Sequence, residues 1–231
     1  MTIKGFQGTS LLDFPGRIAA LVFYGGCNLR CPYCHNPQLI DAPDELPDYP
    51  EDELLNNLRR RRKFIDGVVI SGGEPTLAPG LLSLLREIRA LGLQIKLDTN
   101  GLRPAVLKAA LAEGLLDYVA VDLKTLPERY GELGGDGGDM QSFVGGITML
   151  MASGVDYEFR TTCVPGWIDA ETIDTLGKTI NGARRWALQQ FVPEHALDAQ
   201  WHAVAAYPAA RLQELAQRAQ PYAAEVLLRG L

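Results

Sequence analysis

Three of the chain's four cysteines fall inside nine residues, Cys27-Asn28-Leu29-Arg30-Cys31-Pro32-Tyr33-Cys34-His35. Three thiols this close can grip a metal centre, and three rather than four leaves one coordination position open. An iron–sulfur cluster with an open iron can bind and attack a substrate, whereas a fully ligated cluster mostly passes electrons. Any fold for this chain must therefore present that loop to a reactant.

The 231 residues allow one large domain or two small ones, and 47% hydrophobic with 22% charged residues is the composition of an ordinary globular protein. A net charge of -6 gives no reason to expect nucleic acid as a partner. The start, Met1-Thr2-Ile3-Lys4-Gly5, has no apolar signal core. No stretch approaches the roughly 18 apolar residues of a membrane span. These features predict a cytoplasmic protein with no membrane partner, whose clustered thiols are metal ligands or redox groups rather than disulfides.

Short apolar, β-branched runs recur at residues 18–24, 67–71, 94–100, 118–124, 157–164 and 186–192, each bounded by Gly, Asp, Asn or Pro. Helical patterns lie between them at 51–63, 79–91, 104–113, 140–153 and 170–183, with Pro79 and Pro104 suited to first turns. Strand then helix, about six times, predicts an α/β fold with a parallel sheet and helices outside. Such a sheet carries its site at the carboxyl ends of its strands. Cys27, Gly72-Gly73-Glu74, Asp98-Thr99-Asn100-Gly101, Asp122-Leu123-Lys124 and Pro193-Glu194-His195 all fall there.

Other readings of the cysteines fit less well. A glutaredoxin-type Cys31–Cys34 dithiol leaves Cys27 unexplained and meets Pro37 where a helix should continue. A Cys-x-x-Cys-His haem attachment site requires export. A zinc site using Cys27, Cys31, Cys34 and His35 would be closed and inert, leaving the strand-end groups without a purpose.

Cys27-x-x-x-Cys31-x-x-Cys34, with Tyr33 before the third cysteine, resembles the signature of the radical S-adenosylmethionine superfamily, and Gly72-Gly73-Glu74-Pro75 resembles its G-G-E-P motif. The resemblance implies a partial (β/α)6 TIM-like barrel, a single domain over 1–231 with its core at about 15–200. Asp13-Phe14-Pro15-Gly16-Arg17, Cys34-His35-Asn36, Asp98-Thr99-Asn100-Gly101, Asp122-Leu123-Lys124 and Val164-Pro165-Gly166-Trp167 are similar to the glycyl-radical-enzyme activases. Ser10-Leu11-Leu12-Asp13-Phe14-Pro15-Gly16 looks most like the activating proteins of anaerobic ribonucleoside-triphosphate reductase.

The resemblance implies that Cys27, Cys31 and Cys34 hold a 4Fe–4S cluster whose open iron is chelated by S-adenosylmethionine. Reductive cleavage gives a radical that takes a hydrogen from a glycine of the partner enzyme. Gly72 and Gly73 would let backbone approach the methionyl group, Glu74 would add a counter-charge, and Tyr33 would lie near the adenine. Arg160 would meet a carboxylate of cofactor or substrate, and His195 would donate to ribose or methionine. Asp98 and Asp122 would repel unless neutralised. Lys124 offers one charge, and a monovalent cation on Asp98, Thr99 and Asp122 offers another. The alternatives left open are an activase of pyruvate formate-lyase type, a small-molecule radical enzyme, and a zinc-bearing interaction module.

Three features lie outside this scheme. Cys163 reads as a small buried hydrophobe. The segment 131–146 carries seven glycines and reads as a mobile connection or a lid. The run Arg59-Arg60-Arg61-Arg62-Lys63 closes a helix, where cations suit the dipole, and is a candidate dock for an acidic electron donor of flavodoxin type.

Overall fold

A computed structural model describes residues 1–231. Its centre is one eight-stranded sheet: β1 (Ile3–Ser10), β2 (Ala19–Tyr24), β3 (Gly67–Gly72), β4 (Gln94–Thr99), β5 (Tyr118–Asp122), β6 (Asp156–Cys163), β7 (Ala183–Gln190) and β8 (Ala223–Arg229). The strands lie side by side in chain order. β1 is antiparallel to β2, and every later pair is parallel. The sheet is curled and open, because β1 and β8 are edges. Its curl shows in side chains that bridge non-adjacent strands: Arg160 on β6 reaches Asp98 on β4, and Arg229 on β8 reaches Glu158 on β6. On a flat sheet such strands stand about 10 Å apart.

Helices α1 (Pro37–Asp41), α2 (Glu51–Arg61), α3 (Leu81–Ala90), α4 (Pro104–Ala112), α5 (Met140–Ala152), α6 (Ala170–Thr179) and α7 (Ala209–Ala219) occupy the connections. Pro104 stands in the first turn of α4, while Asp139 and Asp169 cap α5 and α6 by accepting from the backbone N–H of Gln141 and Thr172. None is long and apolar enough to cross a membrane.

The two faces of the sheet differ. Period-two alternation sends Val68, Ile70, Ile95, Leu97, Val119 and Val121 outward against Leu54, Leu58, Leu84, Leu85 and Ile88 of the helices, in one continuous core. Each fully buried Leu contributes about 2 kcal/mol. Cys163 belongs to that core and is fully buried. The inner face is apolar beside β2 and β3, where Ala19, Leu21 and Val69 pack with Phe14 and Tyr118. From β4 onward it carries Lys96, Asp98, Asp122, Glu158 and Arg160.

The fold has two strands more than the sequence predicts. Gly5 and Gly8 interrupt β1, which hides its strand pattern. β8 is a half-exposed edge with weak alternation, so the last thirty residues seem to add little, yet they supply α7 and β8. A second correction concerns Arg59–Lys63. α2 leads into β3, so the run lies where the strands begin. The cysteines lie where they end, roughly 20 Å away along six-residue β2. A donor docked on the run would face the wrong end of the barrel.

Candidate active site

The cysteine loop leaves β2 through Gly25 and Gly26 and is fixed from three sides. Gly26 donates its N–H to the Leu39 carbonyl, Gly73 to Tyr24 and Glu74 to Gly26. Glycine is required at 72 and 73. Gly72 has φ +118°, and a Cβ on Gly73 would stand 1.9 Å from the Gly26 carbonyl oxygen. On the second side the glycine-rich segment lies against the loop, with Leu29 bridging Gly135, Arg30 donating to Leu133 and Asp136 donating to Asn28. A Cβ on Gly135 would meet the Asn28 carbonyl oxygen at 2.3 Å. The stretch expected to be a mobile connection or lid is thus a strap, and Gly145 and Gly146 lie inside α5. On the third side Asp198 donates its N–H to the Pro32 carbonyl.

Above the strand ends lies a cavity of about 240 Å³ lined by Cys27, Cys31, Tyr33, Cys34, Gly72, Gly73, Asp98, Thr99, Asp122, Lys124 and Arg160. Burial pushes the Cys27 thiol up and the Cys31 thiol up to about 12, with Lys124 opposing in both cases. No three His, Cys, Asp or Glu side chains converge tightly enough to hold a single ion, the arrangement a zinc site needs. Soft thiols spread around a cavity wall suit the corners of an iron–sulfur cluster. The donor set and its placement fit that group.

Beside the thiols stands a charged array. Arg160 donates from Nε to Asp122 at 2.8 Å and from Nη1 to Asp98 at 2.9 Å, while Lys124 donates to Asp122 at 3.1 Å. Lys96, 2% exposed, pairs with Asp98. Burial alone would raise both carboxyls, but Arg160 outweighs it, with Lys96 at Asp98 and Lys124 at Asp122, and holds both below the usual carboxylate range.

This geometry corrects several expectations. The carboxylates expected to need a monovalent cation are neutralised by Arg160, Lys96 and Lys124. Thr99 turns its hydroxyl to Glu74 at 2.7 Å instead of joining a cation site. Glu74, expected to face the cofactor, is fully buried behind the wall, accepting from the N–H groups of Thr76 and Asn100 as well as from Thr99. A buried carboxylate needs such donors, so it braces two strand ends. His195 lines an adjoining groove of about 420 Å³ that shares His35 and Asn36 with the main cavity. Its ring lies 6.4 Å from that of His35. Burial, then His195, lowers the His35 pKa. Tyr33 lines the cavity, donates its hydroxyl to the Lys124 carbonyl at 2.9 Å and packs edge-on against Trp167 and Trp201.

Sequence reasoning missed Ser71, Thr162 and Gln189, which also line the cavity, and gave Asn100 a place at the strand end without a role. Asn100 donates to Asn28 at 2.8 Å and lies 3.8 Å from the Cys27 sulfur. The signal for Asn100 and Thr162 was available: polar residues at every second position of otherwise apolar strands (96, 98, 100; 158, 160, 162) mark a face turned away from the helices.

Residues 21–178 match the model of the radical SAM superfamily. The chain belongs to that superfamily. A Methanocaldococcus jannaschii protein provisionally described as a glycyl-radical enzyme activating enzyme is 32% identical over 99% of this chain and 96% of its own length. The pyruvate formate-lyase-activating enzyme of Clostridium pasteurianum is 30% identical over 84% and 82% respectively. Within the superfamily the chain therefore groups with the glycyl-radical-enzyme activating enzymes. Among solved structures, Streptococcus suis SuiB superposes with a TM-score of 0.69 at 18% identity, over 91% of this chain and 49% of that one. The chain thus spans about half of SuiB. TYW1 with a lysine-pyruvate adduct gives 0.61 at 14%, over 89% and 74%. These likenesses carry the fold alone.

Proposed function

We propose that the chain activates a glycyl radical enzyme, holding a 4Fe–4S cluster on Cys27, Cys31 and Cys34 beside bound S-adenosylmethionine, and that its acceptor is anaerobic ribonucleoside-triphosphate reductase. The observation that carries this reading is the joining of three thiols, a paired-charge array and a side cavity that shares lining residues with the main one. A second cavity of about 200 Å³, lined by Leu12, Asp13, Pro15, Lys96, Glu158 and Arg229, shares Arg160 and Gln189 with the first. It offers Gln189 and Arg229 as donors and Asp13 and Glu158 as acceptors to backbone amides.

Cys27, Cys31 and Cys34 would hold the cluster, which when bound would supply the low-potential electron needed to open a sulfonium carbon–sulfur bond. The chain's own residues do the rest. Arg160 and Lys124 are partly buried cations whose positions are fixed by Asp98 and Asp122. They present a preorganised field to an amino-acid carboxylate without reorganisation. Gly72 and Gly73 keep the wall bare of side chains. Tyr33, braced by Trp167, fixes the third cysteine's flank, and the groove with His35 and His195 extends the space needed by an elongated nucleoside. Pro32, Leu29 and the glycine strap cover the loop from water.

The target rests on Ser10–Gly16, whose Asp13 and Pro15 line the side cavity. The relationship to pyruvate formate-lyase-activating enzymes favours that lyase as the second reading. Anaerobic mixing of reconstituted protein, S-adenosylmethionine and dithionite with each enzyme separates them. A glycyl doublet by electron paramagnetic resonance on the reductase alone supports the first reading, and one on the lyase alone replaces it.

A further inference from the structure

We propose that the strand-start end of the barrel, built from Arg17, Arg59–Lys63, Phe64 and the Leu11–Leu12 turn, is a docking surface for an acidic face of the protein whose glycine segment enters the side cavity. The inference rests on the activase reading above and adds to it a second contact, remote from the cysteines.

The first observation is one of charge. Of the chain's 22 Lys and Arg side chains, all are ion-paired except Arg17, Arg59, Arg60, Arg61, Arg62, Lys63, Lys108 and Lys178. Six of these eight sit at one end of a molecule whose net charge is -6. Arg59 and Arg60 touch only Asn56, and Arg61 lies against Gly8. Cations left unpaired on an acid-rich protein leave a positive face that selects a negative partner and steers its approach.

The second observation is apolar. Leu11 (71% exposed), Leu12 (91%), Phe64 (77%) and Ile18 (39%) are four of the seven large apolar side chains left exposed. Ile18 is tied to the residues that follow Phe64. Ile18 accepts from the N–H of Asp66 and Gly67, and Asp66 accepts from Ile18 N–H at 2.8 Å. Apolar anchors ringed by cations are the make-up of a protein interface.

The third observation joins this face to the site. Leu12 is exposed on it and also lines the side cavity with Asp13 and Pro15. A partner seated on the face therefore has its nearest chain at the cavity's entrance. A cation patch here serves the radical acceptor, which must reach that entrance, rather than an electron donor, which must reach the other end.

The test uses the reconstituted holoenzyme with the reductase or the lyase, whichever gives a glycyl radical with wild type. Two variants are compared: R59E/R60E/R62E/K63E, which spares Arg61 on Gly8, and Phe64→Ser. The charge reversal should raise KM for the acceptor about tenfold or more with kcat held, and Phe64→Ser about threefold. Acceptor-free cleavage of S-adenosylmethionine with dithionite should be unchanged in both. Wild-type KM should climb as salt rises from about 50 to about 200 mM, and the charge-reversed variant should lose that dependence. Acceptor KM within twofold of wild type in both variants overturns the surface while leaving the activase reading intact. So does loss of binding to phosphatidylglycerol vesicles with unchanged acceptor KM, which would assign the face to a membrane. Absence of a glycyl radical on either enzyme with wild type overturns the reading and the surface together.

Discussion

The outer and inner faces of the sheet obey different physics. Outside, apolar side chains of β3 to β7 pack on helices, and any hydrophobe of the right volume would serve. Inside, from β4 to β8, the barrel that usually fills with branched hydrophobes holds buried Lys96 and Glu158 and partly buried Arg160 in defined pairs. Buried ion pairs return little net stability against well-packed hydrophobes. Their cost is accepted where a fixed field is needed, so the inner face is organised for chemistry and the outer one for holding the sheet together.

Removing the hub of the inner face should break this contrast most sharply. Arg160→Leu removes the cation shared by Asp98 and Asp122, leaving each with a single lysine, and should cost about 3–5 kcal/mol at neutral pH by denaturant titration. The sign with pH follows from the depressed carboxyls: their stabilisation is present above the unfolded value of about 3.9 and fades as pH falls through the lower folded values. The gap between wild type and variant should therefore narrow below about pH 4. Leu84→Ala on the outer face should cost about 2–4 kcal/mol, without that pH dependence, and the folded fraction should cleave S-adenosylmethionine at the wild-type rate.

Smaller changes refine the comparison. Gly135→Ala sets a Cβ against the Asn28 carbonyl at φ +76° and should cost about 1–3 kcal/mol. Because the strap holds the cysteine loop, iron content after reconstitution should fall by more than global stability suggests. Thr162→Val at the inner rim should change stability by less than about 1 kcal/mol yet raise KM for S-adenosylmethionine about threefold. Equal effects on stability and KM would erase the distinction between the faces.

The sequence made the outer half of this division plain and the inner half only in part. Strands β2 to β7 announce themselves through β-branched runs, because burial against helices demands them. The cysteines, Asp98, Asp122 and Lys124 were legible as polar groups at strand ends. Glu74 was legible as a strand-end group but not as a brace, since a carboxylate facing a cofactor and one satisfied by backbone N–H groups look alike in one dimension. The partners of Arg160 were hidden for another reason: its contacts cross from β6 to β4, and the curl that permits them is a property of the whole sheet. β8 was hidden because an edge strand has only one neighbour to impose a pattern on it.

Arg229 gives the charged interior a place in time. It closes on Glu158 with two hydrogen bonds of 2.9 and 2.7 Å across 71 residues of chain. During synthesis Glu158 emerges long before its partner, so a nascent chain that has already paired β2 to β7 holds this carboxylate with the Tyr118 hydroxyl as donor and without its cation. The inner face therefore reaches its final charge state only when β8 docks. A ribosome-stalled chain ending before Ala223 should hold its helices and its thiols without holding the site in working order.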